Sequence, residues 1–137
     1  MVISTKGRYA LSLMIDIAMQ ESSEPVSLHA VSDRQNISLK YLEQLASPLC
    51  RAGLLVGIRG AQGGYIIAKD PALITAGDIL RAGEGTMSPV TCLASEVNEC
   101  PKVGNCLTLG FWTGLDQAIT DYIDGVSLAD FVTGVRS

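Results

Sequence analysis

Ser38-Leu-Lys-Tyr-Leu-Glu-Gln-Leu-Ala-Ser-Pro-Leu-Cys-Arg51 and, after Ala52 and Gly53, Leu54-Leu-Val-Gly-Ile-Arg-Gly-Ala-Gln-Gly-Gly-Tyr-Ile-Ile-Ala68 decide the fold. In the first run Leu39, Leu42, Leu45, Ala46 and Leu49 recur every three or four positions and make one apolar stripe of a helix. Ser38 stands where an N-cap hydroxyl belongs, and Gly53 where a left-handed residue ends the helix. Upstream, Ser27 caps a short helix over Leu28, His29, Ala30 and Val31, and Gln35-Asn36 makes a tight turn because Asn tolerates positive φ. Two helices joined by such a short turn, the second apolar on one face and polar on the other, spell a helix-turn-helix. The second run holds two β-rich segments, Leu54–Ile58 and Tyr65–Ala68, around Arg59-Gly-Ala-Gln-Gly-Gly64. That is a glycine-rich hairpin with an arginine at its base, and the unit reads as a winged helix. Pro48 removes the amide that would bond the Gln44 carbonyl, so a kink or an early stop is expected there.

Outside this unit, Tyr9, Ala10, Leu13, Met14, Ile17 and Ala18 predict a first helix over residues 8–20, and Glu21–Pro25 a polar connector. Thr75 and Asp78 open a short helix through about Ala82. Residues 83–105 read as a loop. Trp112, Leu115, Ile119, Tyr122 and Val126 then predict a long amphipathic helix from about Leu107 to Ile123, a natural dimer element, and Ser127 caps a last short helix through Leu128 and Phe131. The expected fold class is mainly α with a small β-hairpin wing. It divides into a winged helix-turn-helix at 1–83, a cysteine-bearing loop at 84–106, and a dimerisation helix with its tail at 107–137.

The chain has 137 residues, 47% hydrophobic and 18% charged, which excludes wholesale disorder. No apolar run is long enough to cross a bilayer and no signal-peptide core precedes the first helix, so a cytoplasmic protein is expected. The net charge of −4 argues against a polyanion partner only as a bulk number. Residues 1–69 carry seven basic and five acidic side chains, whereas residues 70–137 carry three and nine. A basic front and an acidic rear suit a protein whose first half meets nucleic acid.

Three cysteines, Cys92, Cys100 and Cys106, fall in the glycine- and proline-rich loop. In a cytosolic chain such a set points to a metal or cluster, to thiol redox chemistry, or to no chemistry at all. Soft thiolates match iron–sulfur clusters and zinc, but the spacing lacks the paired two-residue gaps of a common structural zinc site. Cys50 reads as a structural residue packed against the wing. An enzyme would need a base beside its nucleophile, and His29 is the one histidine.

Taken together, Ser4-Thr-Lys-Gly-Arg-Tyr-Ala10, Gln35–Gln44, Arg59–Tyr65, Ile79-Leu-Arg-Ala82, the three cysteines and Trp112 make the chain resemble the Rrf-two-type winged-helix transcriptional regulators, over essentially residues 1–132. The likeness is to the branch that senses iron–sulfur clusters. It implies a homodimer on double-stranded DNA, with genes of cluster assembly as expected targets and no enzymatic activity. Cluster ligands then fall on Cys92, Cys100 and Cys106, for a 2Fe–2S or a 4Fe–4S centre. The wing arginine of the minor groove falls on Arg59, with Gly60 beside it. Recognition-helix contacts fall on Ser38, Lys40, Tyr41, Glu43 and Gln44, and phosphate contacts on Thr5, Lys6 and Tyr9. The branch's histidine ligand, three residues after the last cysteine, is replaced here by Leu109. The helix-one positions that serve some relatives are Arg8 and Ser12. Glu96, Glu99, Glu43, an external thiol or water remain as fourth ligand. Other relatives bind no metal and answer to a partner protein of cysteine metabolism.

Chemically, Gln44 suits bidentate reading of adenine. A Glu43 carboxylate repels phosphate yet accepts from cytosine, which would make it a selector between classes of site.

Overall fold

The computed structural model describes residues 3–20, 24–85 and 107–134. Among the described residues six α-helices, a short 3-10 turn and one hairpin follow in the order α1 (Thr5–Met19), α2 (Leu28–Gln35), α3 (Leu39–Arg51), β1 (Leu55–Ile58), β2 (Gly64–Ile67), the turn Pro71–Leu73, α4 (Ala76–Glu84), α5 (Leu109–Asp124) and α6 (Leu128–Thr133). The mainly helical class with a two-stranded antiparallel hairpin is the one expected.

All the described α-helices but α5 start at a hydroxyl cap. Ser27, Ser38, Thr75 and Ser127 accept from the backbone amides of Ala30, Tyr41, Asp78 and Asp130, and the last two form complete capping boxes. Asn36 lies at φ 55, the left-handed turn between α2 and α3, and Gly53 at φ 78 follows α3.

Two expected boundaries need correction, and at Pro48 the early stop that was left open does not occur. The first helix begins at Thr5, three residues earlier than the apolar pattern suggested, because Ser4 caps it and accepts from the Lys6 amide at 3.2 Å. Helix α3 does not stop at Pro48 but runs on to Arg51, with Leu49 fully buried beyond the proline. Only one amide is lost there, and the Ala52 amide donates to the Pro48 carbonyl at 3.0 Å. Helix α4 continues to Glu84, so Gly83 and Glu84 are helical and not part of a loop.

The core is built on α1. Ala10, Leu13, Met14 and Ile17 are buried and meet Val31 of α2, Leu42, Leu45 and Leu49 of α3, Leu54, Leu55, Ile74, Ile79 of α4 and Leu128 of α6 in one cluster. Each fully buried leucine or methionine contributes about 1.5–3 kcal/mol by leaving water. Helix α6 is tied back by backbone bonds: the Leu128 amide donates to the Ile74 carbonyl at 2.7 Å, and the Ala76 amide to that of Val126 at 2.8 Å. Helix α5 has no buried residue.

One charged side chain lies in this interior. Asp16 on α1 is 3% exposed and accepts from Arg34 Nε at 3.0 Å, Arg34 Nη2 at 2.6 Å and Gln35 Nε2 at 2.9 Å. Burial pushes the carboxyl up, but the hydrogen bonds from Arg34 and Gln35 and the guanidinium charge outweigh it, and the net shift is downward. Arg34→Ala strands this carboxylate, so chemical denaturation should show a loss of about 3 kcal/mol. Asp16→Asn, which keeps an acceptor and leaves an arginine that reaches water, should lose less, about 1–2 kcal/mol. A carboxylate lowered in the folded state stabilises fully above its unfolded value, near about 3.9. That contribution disappears as pH falls through the lower folded value. The stability gap between wild type and Asp16→Asn should therefore be flat above about pH 5 and close in the acid limb of a pH series.

Candidate nucleic-acid interface

The turn at Asn36 and the cap at Ser38 set the direction of α3. Its apolar side, Leu42, Leu45, Ala46 and Leu49, faces the core, so Lys40, Glu43, Gln44 and Ser47 are exposed on the other. Tyr41 is half-buried. Its ring meets Tyr9 of α1 edge-on, with centroids 5.4 Å apart at 77°. Lys6, Tyr41, Gln44, Pro48 and Gly83 line one shallow hollow where α1, α3 and α4 converge. Residues that the resemblance marks for phosphate contact (Lys6, Tyr9) and for recognition-helix contact (Tyr41, Gln44) thus share a surface. Thr5 is exposed one residue before Lys6.

The wing pairs Leu55 with Ile67, Val56 with Ile66, Gly57 with Tyr65 and Ile58 with Gly64. At its tip Gly60 adopts φ 114, and the Gly63 amide donates to the Gly60 carbonyl at 2.9 Å. A side chain at Gly63 would lie 2.3 Å from the Ile58 carbonyl oxygen, so the turn tolerates glycine alone there. Arg59 projects at the base of this turn, exposed and with no carboxylate partner among the described residues. The hairpin is fastened to the segment before α2 by reciprocal bonds between Val26 and Tyr65, at 2.9 and 2.8 Å. The wing and the helix-turn-helix are therefore one framework.

Sequence reasoning gave no role to Glu84. Its Oε1 accepts from the Ser4 amide at 2.7 Å, the Ser4 hydroxyl at 2.6 Å and the Gly7 amide at 3.0 Å, at the start of α1. The available signal was an α1 whose first turn contains no acidic residue of its own.

The metal candidates are less complete. Cys92, Cys100 and Cys106, together with Glu96 and Glu99, lie outside the described residues. Among the alternatives for a fourth ligand, Glu43 is exposed on α3, and Ser12 donates back to the Arg8 carbonyl at 3.3 Å. His29 is exposed on α2. Leu109 opens α5 and has no lone pair to offer. Cys50 is partly buried against the core, and burial pushes its thiol up, away from reactivity.

Residues 3–134 match the family model Rrf2, described as an iron-dependent transcriptional regulator. The chain belongs to the Rrf2 family. It is 41% identical to the HTH-type transcriptional regulator CymR of Bacillus subtilis, over 97% of this chain and 91% of that protein. It is 37% identical to the regulator IscR of Yersinia pseudotuberculosis, over 96% of this chain and 79% of that one. The solved structure of CymR, described as the global cysteine regulator of B. subtilis, superposes with a TM-score of 0.78 at 39% identity and covers 97% of both chains. Rrf2 members are DNA-binding transcriptional regulators rather than enzymes, and so is this chain. No helix among the described residues is long and apolar enough to cross a membrane.

In this Rrf2 chain the attachment of the wing is open to test. A Cβ at Gly64 would lie 2.4 Å from the Val26 carbonyl oxygen. Gly64→Ala should therefore part the wing from the helix-turn-helix. Hydrogen exchange should speed up at the Val26 and Tyr65 amides, while the α1 and α3 amides stay protected.

Proposed function

We propose that this Rrf2 regulator is a homodimer that reads DNA with α3 and the wing and answers to an iron–sulfur cluster held by Cys92, Cys100 and Cys106. The observation that carries the DNA-binding part is the shared surface of Lys6, Tyr41 and Gln44, to which the wing adds an exposed Arg59 without a carboxylate partner among the described residues. In this reading two copies of α3 enter successive major grooves, about 34 Å apart. Ser38, Lys40, Tyr41, Glu43 and Gln44 face bases and backbone there. Arg59, with Gly60 letting the tip approach, enters the minor groove, where narrow A·T-rich stretches concentrate negative potential. Thr5, Lys6 and Tyr9 hold phosphates. Support for the dimer comes from α5, a 16-residue helix with no buried residue, on which Phe111 and Tyr122 are 66% and 65% exposed. A second copy of α5 is the natural cover for that face. The protein then works in the cytoplasm, where the chromosome is.

Three thiolates suit an iron–sulfur cluster by donor softness. When bound, such a group supplies iron whose ligation changes with oxidation or loss. Leu109 leaves the fourth position to a carboxylate, an external thiol or water, and a 2Fe–2S centre is favoured over 4Fe–4S. The cysteine segment lies between α4 and α5. Holding a cluster there would reset the start of α5 and hence the spacing of the two reading heads.

A second reading keeps the DNA interface and drops the cluster. It is favoured by the likeness to CymR, described as a cysteine regulator, and by Leu109. Control would then come from a partner protein or from thiol oxidation in cysteine metabolism.

Anaerobic reconstitution with iron and sulfide separates the two readings. A coloured protein with stoichiometric iron and sulfide, beside a colourless Cys92/Cys100/Cys106 triple alanine variant, is expected. A colourless wild type that still binds DNA would favour the second reading. In DNA titrations across salt concentrations, Arg59→Ala should weaken binding and lower the slope of log affinity against log salt by about one. An unchanged titration would remove the wing from the interface. Glu43→Ala should widen the range of sequences bound by the cluster-free protein, as read by selection from a random duplex pool.

A further inference from the structure

Helices α1 and α4 meet through glycines. A Cβ on Gly83 would lie 3.3 Å from both the Lys6 carbonyl oxygen and the Ala10 Cβ, and one on Gly7 would lie 2.6 Å from Glu84 Oε1. This closeness brings the last residue of α4 under the first turn of α1. There a single carboxylate oxygen gathers the Ser4 amide, the Ser4 hydroxyl and the Gly7 amide within 3.0 Å. The Ser4 hydroxyl in turn accepts from the Lys6 amide at 3.2 Å. Both residues of this turn that point outward, Thr5 and Lys6, are exposed. The first turn of a helix otherwise frays, since its amides lack intrahelical partners.

We propose that Glu84 is a positioning residue for DNA binding: it fixes the first turn of α1 so that Thr5 and Lys6 meet phosphates of the duplex. The inference rests on the reading of Thr5 and Lys6 as phosphate contacts. The Ser4 hydroxyl bond, followed by the Gly7 and Ser4 amides and the nearby Lys6 charge, holds the Glu84 carboxyl below its ordinary value against the opposing effect of burial. The group is therefore a fixed anion under working conditions. Its charge alone would oppose DNA, because a carboxylate near a phosphate backbone repels it. Electrostatics and positioning thus predict opposite signs for its removal. If Glu84 were a mere surface charge, Glu84→Ala would bind DNA more tightly. If it positions the turn, Glu84→Ala binds more weakly, because two phosphate contacts lose their registry.

The test uses the full-length protein and a labelled duplex that the wild type selects from a random-sequence pool. Glu84→Ala is expected to weaken binding about tenfold and to lower the salt slope by about one to two, the signature of lost phosphate contacts. Glu84→Gln keeps an oxygen at the same place and should recover binding to within about threefold of wild type. Gly7→Ala covers the case in which the Glu84→Ala protein does not fold. It displaces the flexible end of Glu84 while keeping its charge and favouring helix, and it should weaken binding as Glu84→Ala does. In a Thr5→Ala/Lys6→Ala background, adding Glu84→Ala should change affinity by less than about twofold, since the groups it positions are gone. A full tenfold loss in that background, an unchanged salt slope, or binding by Glu84→Ala and Gly7→Ala as tight as wild type overturns the positioning role alone. Wild-type-like binding by Thr5→Ala/Lys6→Ala overturns the phosphate reading and the positioning role together.

Discussion

A buried carboxylate sets how the helices of this protein can be arranged. Helix α1 touches the core on nearly every inward position, and a purely apolar stripe would let its neighbours slide or rotate at little cost. Asp16 removes that freedom. A charge 3% exposed must find donors, and Arg34 and Gln35 at the end of α2 are the ones it finds. Helix α2 is thereby fixed in one register on α1. The Asn36 turn and the Ser38 cap then fix α3 relative to α2, so the exposed face that carries Gln44 inherits its direction from a part-buried polar contact. Specificity of arrangement, more than stability, is what such a group contributes.

Much of this was legible in the sequence because it is local. Ser27, Ser38, Thr75 and Ser127 announce their helices through hydrogen bonds that close within three residues, and the wing announces itself through glycines that only a tight turn requires. The apolar spacing of α1 and α3 named the core leucines. What escaped was long-range. The reach of Glu84 to Ser4 spans 80 positions, and no pattern within either segment discloses it. The burial of Asp16 was hidden for the same reason, since an aspartate in an amphipathic helix reads as solvent-facing until Arg34 is placed beside it. Pro48 left a kink or an early stop open; the helix runs on, because the burial of Leu49 beyond it outweighs one missing hydrogen bond.

The DNA face was read by a different route. Composition gave only a weak basic front, and a resemblance supplied the individual residues. The fold then brought Lys6, Tyr9, Tyr41 and Gln44 to one surface, although they come from two helices separated by the whole of α2. The excess acid lies elsewhere. Asp116, Asp121 and Asp124 are on α5, and Asp124 is drawn to Arg81 at 2.5 Å and to the Thr75 hydroxyl at 3.2 Å. Glu43 and Glu84 stay on or beside the candidate face, so what favours a polyanion there is the local basic groups such as Lys6 and Arg59 and not the bulk charge of −4.

That Asp124–Arg81 joint has an evolutionary corollary. It holds the C-terminal end of α5 against α4, and the backbone bonds of Leu128 and Ala76 hold the chain that follows, so the polypeptide leaving α5 is anchored to the folded body. The stretch joining α4 to α5 lies between two helices that this ion pair keeps together. Lengthening such a connection is cheap, about 0.6 kcal/mol for each doubling. Natural variation can therefore rewrite the cysteine-bearing segment, adding, moving or deleting thiols, with little penalty to the helices on either side. One DNA-reading body can in this way be fitted with many different sensors.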